Sequence, residues 1–116
     1  LIDVRKKGHV AERAVARYFK DSGFPLAITS RLYTGGDGIA QESDIIGVPG
    51  ASIEVKNRRE LNIGSALLQA AIQGGPNKLP LLIAKPYRIG LESVGDWWAI
   101  TYVRNIVPLL PREGEL

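Results

Sequence analysis

No cysteine occurs in the chain, so neither a disulfide framework nor a thiolate metal site is available to it. Histidine is nearly absent as well: His9 is the only one, which excludes sites built from several imidazoles. No apolar run approaches the roughly 18–20 residues of a membrane span. Leu1-Ile2-Asp3-Val4-Arg5-Lys6-Lys7 lacks the apolar stretch of a signal peptide. Internal repeats, low-complexity tracts and domain linkers are missing too. What remains for chemistry is carboxylate, lysine, hydroxyl and amide.

What is present is ordinary for a globular domain. The 116 residues are 45% hydrophobic and 23% charged, enough for one domain, residues 1–116, with a modest core. The net charge of +3 is mild, but its distribution is uneven. Arg5, Lys6, Lys7, Arg13, Arg17 and Lys20 crowd the first twenty residues against only Asp3 and Glu12. Lys56, Arg58 and Arg59 form a second group. Phosphate binding is one reading of these groups; the solvated face of a helix is the other for the N-terminal one.

From Arg5 to Ser22 apolar residues recur at spacings of three and four, which predicts a helix ended by Gly23. Strands are expected over Leu26–Thr29, Asp44–Val48 and Ser52–Lys56, with Thr34–Gly38 too glycine-rich for either regular element. Pro49-Gly50 is a turn signal that makes the second and third strands an antiparallel hairpin. A second helix is expected over Ser65–Gln73, capped by either Ser65 or Asn62. Leu79–Ala84 follows as a strand interrupted by Pro80, then a connection over Pro86–Gly95, a last strand over Trp97–Thr101 and a closing segment to Leu110. The fold class is therefore α/β, a mixed central sheet flanked by helices in αβββαββ order.

One short run stands out. In Ser52-Ile53-Glu54-Val55-Lys56, Glu54 and Lys56 are two residues apart on a strand and so share a face. Asp44 opens the preceding strand. Two carboxylates brought together repel unless a cation lies between them, and magnesium or manganese suits oxygen donors. Asp44, Glu54 and the carbonyl of Val55 are the candidate ligands, and Lys56 the group that positions water or stabilises transition-state charge. Glu12, at the edge of the first helix's apolar stripe, is a third carboxylate in reach of that place, or a surface glutamate paired with a neighbouring cation.

The segments Gly8-His9-Val10-Ala11-Glu12, Ser43-Asp44-Ile45-Ile46 and Ile53-Glu54-Val55-Lys56 resemble the PD-(D/E)XK nuclease superfamily, and within it the archaeal-type and phage Holliday junction resolvases. The resemblance spans roughly residues 5 to 101. It implies a restriction-endonuclease-like fold and a magnesium-dependent deoxyribonuclease. Glu12, Asp44 and Glu54 would be its acidic metal-site residues and Lys56 its catalytic lysine. Ser43 departs from the proline of the superfamily's name. The implied partner is DNA, branched as in a four-way junction, cut by a homodimer, for which Ile100–Leu110 is the candidate contact surface. The implied DNA contacts are Arg5, Lys6, Lys7, His9, Arg31, Gly35, Gly36, Arg58 and Arg59. Asp37 and Glu42 suit a phosphate-facing loop poorly and could be further ligands. Gln69 and Gln73 share a helix face, and exonuclease-like relatives of the RecB nuclease domain place a glutamine there at the site. A nuclease for flaps or ends is thus the alternative, and a non-catalytic DNA-binding module a third. The expected location is the cytoplasm of a bacterial, archaeal or phage-infected cell, with no membrane association. Of Trp97 and Trp98, which alternate on a strand, one belongs to the core, and the other to a contact surface or a stacked base.

Overall fold

An 18-residue helix, α1 (Val4–Asp21), opens the part of the chain that the computed structural model describes, residues 4–31 and 43–114. Its stripe delivers Ala11 and Val15, both fully buried, and Ala16 to the core. The helix ends where its periodicity ends: the Phe24 N–H returns to the Phe19 carbonyl at 3.0 Å. Five strands follow: β1 (Ile28–Thr29), β2 (Ile45–Ile46), β3 (Ala51–Lys56), β4 (Leu79–Ala84) and β5 (Trp98–Ile100). Helix α2 (Ile63–Gly74) lies between β3 and β4, and the short α3 (Val103–Ile106) follows β5.

The strands lie side by side in chain order, β1-β2-β3-β4-β5. Pairing is antiparallel except between β3 and β4, which run parallel from Ala51↔Leu79 to Lys56↔Ala84. A parallel pair needs a crossover, and α2 supplies it. The Pro49-Gly50 turn works as its residues suggest. Gly50 takes a φ of 82°, a left-handed value open to glycine, and the Ala51 N–H closes on the Val48 carbonyl at 3.3 Å. β1 and β2 are shorter than the alternation of their residues predicts, two residues each. The last strand is shorter too, because the Trp97 N–H bonds to Val94 at 2.9 Å rather than to a strand. Pro80 is accommodated because β5 pairs only with Leu82, Ile83 and Ala84; at Pro80 its missing N–H faces no partner strand.

The two helices cover opposite faces. Ile53, Val55 and Ile83 join Ala11, Val15 and Trp97 in the α1 core. Leu82 joins Ala66 and Leu67 in the α2 core. α2 lies close on β3 along a row of small residues, Ala66, Ala70 and Gly74, four apart, with Leu67 the larger buried residue beside it. A Cβ at Gly74 would stand 2.5 Å from the Ser52 Cβ. At the other end, Asn62 is the cap, its Oδ1 accepting the Ser65 N–H at 2.9 Å. Trp97 is buried and donates its Nε1–H to the Gly90 carbonyl at 3.1 Å, whereas Trp98 is exposed. Among the described residues no helix is long and apolar enough to cross a membrane. Gly35, Gly36, Asp37 and Glu42 lie outside the described residues.

Candidate metal and phosphate site

The site grows from the point where β2 and β3 part. The Asp44 N–H donates to the Ile53 carbonyl at 2.9 Å, the outermost such backbone bond among the described residues. One step further along β3, the Val55 N–H donates to Asp44 Oδ2 at 2.8 Å. The aspartate side chain thus takes the acceptor position that a longer β2 would have filled. A strand residue directs its N–H and C=O to the same side, so the Val55 carbonyl also leaves β3 on the Asp44 side.

Glu54 is 1% exposed, on the α2 face of a strand with neighbours on both sides. Its Oε1 is buried and has no hydrogen-bond partner, a costly state for a carboxylate. Burial pushes its pKa up to about 8. The Asp44 carboxylate beside it adds to the rise, by its charge and by accepting a hydrogen bond from the protonated form, while Lys56 opposes it. Glu12 is also raised, first by burial and then by Asp44, against the pull of Arg31 and Lys56. Its Oε2 lies 3.6 Å from Arg31 Nη2.

These groups line one open cavity of about 230 Å³. Glu12, Asp44, Glu54, Val55 and Lys56 form its acidic and lysine wall, and Arg5, His9, Arg31, Arg58 and Gln69 surround it. Gly8 and Asn57 complete the lining. Asn57 was not singled out in the sequence, where only its place after Lys56 marks it. Lys6, Lys7, Arg59 and Gln73 are not in the lining. Gln73 lies one turn further along α2 with a buried, unpartnered Oε1. Arg59 packs on Tyr87. Arg31, expected as a DNA contact, lines the cavity and also pairs with Glu12.

The donor set fits a hard divalent cation. The Asp44 and Glu54 carboxylates lie beside each other, Glu54 Oε1 is buried and unpartnered, and the Val55 carbonyl leaves the strand on the Asp44 side. Among the described residues no three histidine, aspartate or glutamate side chains gather as a ready-made metal cage. The fit therefore rests on two carboxylates and a backbone oxygen, with Glu12 lining the same cavity and paired with Arg31. No protein-family model matches the chain, and comparison with the curated proteins and the solved structures gives no match either.

Proposed function

We propose that the chain is a metal-dependent DNA endonuclease that hydrolyses phosphodiester bonds, acting on branched DNA such as a four-way junction as a homodimer. One observation carries the reading: a fully buried glutamate with an unpartnered oxygen, set against a second carboxylate, with a lysine two residues along the same strand. That arrangement destabilises the metal-free fold and makes sense as a cation site. Magnesium or manganese, held by Asp44, Glu54 and the Val55 carbonyl, would supply the Lewis acid for the phosphoryl oxygen. Lys56 contributes positive charge where negative charge grows on the phosphate. Arg5, His9 and Arg58 around the opening offer donors to the flanking phosphates. Arg31 restrains Glu12 and keeps a third carboxylate from repelling the substrate.

Two symmetric cuts in a junction require a two-fold assembly. The exposed Val103, Ile106, Val107, Leu109 and Leu110 support a second copy there. Gln69 at the cavity favours a second reading, an end- or flap-processing nuclease of the same chemistry. The discriminating experiment is magnesium-dependent cleavage of four-way junction, flap, duplex and single-stranded substrates side by side. Paired nicks on the junction alone support the resolvase; cutting confined to flaps or ends replaces it with the second reading.

A further inference from the structure

The ends of β3 and β4 carry a second basic feature just outside the carboxylate cavity. The Arg59 guanidinium lies 4.9 Å from the centre of the Tyr87 ring, and that of Arg88 lies 5.2 Å from the same centre. Two cations gathered at one ring repel each other, and no carboxylate among the described residues is within ion-pair distance of either. All three side chains are exposed, Tyr87 to 67%. The backbone adds a cost. Arg88 has a φ of 68°, inside a turn closed by the Ile89 N–H on the Pro86 carbonyl at 3.3 Å. Glycine is the residue that favours this conformation. The one printed contact of this exposed arginine is the Tyr87 ring, and strained backbone of this kind gathers at ligand sites.

The cluster adjoins the cavity. The Lys85 N–H donates to the Lys56 carbonyl at 3.0 Å, so the Pro86 turn begins beside Lys56. Arg59 follows Arg58 in the chain, and both Lys56 and Arg58 line the cavity.

We propose that Tyr87, Arg59 and Arg88 grip an unpaired nucleotide of the strand whose phosphate enters the carboxylate cavity. The inference rests on the nuclease reading and adds the form of the strand it takes. An exposed aromatic ring with guanidiniums beside it offers flat surfaces on which a base stacks, and the same guanidiniums bind phosphate oxygens. A duplex presents phosphates and base edges; only an unpaired nucleotide offers its face to the ring.

The test is metal-free binding, read by fluorescence anisotropy, to a short labelled single-stranded oligonucleotide without self-complementarity and to the blunt duplex it forms with its complement. Tyr87→Ala is expected to weaken single-strand binding about tenfold, the scale of one base–aromatic stack, and to leave duplex binding near wild type. Tyr87→Phe keeps the ring and the affinity. Arg88→Gly is expected to lose single-strand affinity while its melting temperature holds or rises, because the backbone strain is removed. No loss in Tyr87→Ala overturns the proposal. So does an equal loss on the duplex, or an equal loss on inorganic polyphosphate, which has no bases; either makes the cluster a plain charge site. If wild type binds no oligonucleotide, the nuclease reading falls with it; if wild type cuts DNA and Tyr87→Ala binds normally, only this inference falls.

Discussion

The two faces of β3 are buried alike and built oppositely. Toward α1, Ile53 and Val55 meet an apolar core. Toward α2, Ser52 and Glu54 are as fully buried, with exposures of 1% each, yet Ser52 Oγ and Glu54 Oε1 have no hydrogen-bond partner. One face of the strand stabilises the fold by removing apolar surface from water. The other carries polar atoms at a cost and ends in Lys56 at an open cavity. A single alternating strand can therefore anchor a core and hold a strained site, and the site is precise because the anchor is rigid.

Separating the faces by mutation gives the sharpest contrasts. On the α2 face, Asp44→Asn is expected to abolish magnesium-dependent cutting with DNA binding largely kept, and Lys56→Ala to slow cutting by about 10²–10³-fold. Single-turnover cleavage alongside anisotropy measures both; equal losses of cutting and binding in Lys56→Ala would reduce it to a phosphate contact. On the α1 face, Ile53→Ala should cost about 2–5 kcal/mol of stability in urea unfolding. Gly74→Ala tests how closely α2 sits on Ser52, with an expected loss of about 1–3 kcal/mol from overpacking; a neutral result would mean that the helix is free to shift.

The α2 face also carries a pH dependence. The Glu54 pKa is raised in the folded protein, to about 8 from an ordinary 4.5. Its contribution to metal-free stability is thus fully present below about pH 4.5 and is lost as pH rises through about 8. Glu54→Gln keeps the shape of the protonated form and should flatten that decline. A divalent cation requires the ionised form, so magnesium should raise the melting temperature more at pH 8 than at pH 6. Thermal melts at both pH values check each statement, and an unchanged decline in Glu54→Gln would assign the dependence to another group.

Much of this could be read from residue order. Alternation in Ser52–Lys56 and the Pro49-Gly50 turn are local signals, and they lead to β3 and its antiparallel neighbour. Placement of Glu54 and Lys56 on one face follows from the period of a strand. Other features depend on contacts between distant segments. That Asp44 replaces a backbone acceptor depends on β2 beginning only at Ile45. Arg31 on Glu12 joins the end of β1 to α1. The choice of Asn62 over Ser65 as cap turns on where the helix begins, which propensity places only to within a few residues. Tyr87 and Arg88 lie in a stretch whose residues signal only a connection, and nothing local brings Arg59 to them. The parallel pairing of β3 with β4 does.

The most direct measurement of the central claim is the cleavage rate of one labelled branched DNA by wild type and Glu54→Gln, with binding recorded on the same samples, in magnesium and in chelator. The account predicts that wild type cuts only with magnesium and that Glu54→Gln binds the DNA without cutting it. Cutting by Glu54→Gln at the wild-type rate, or by wild type in chelator, would contradict it.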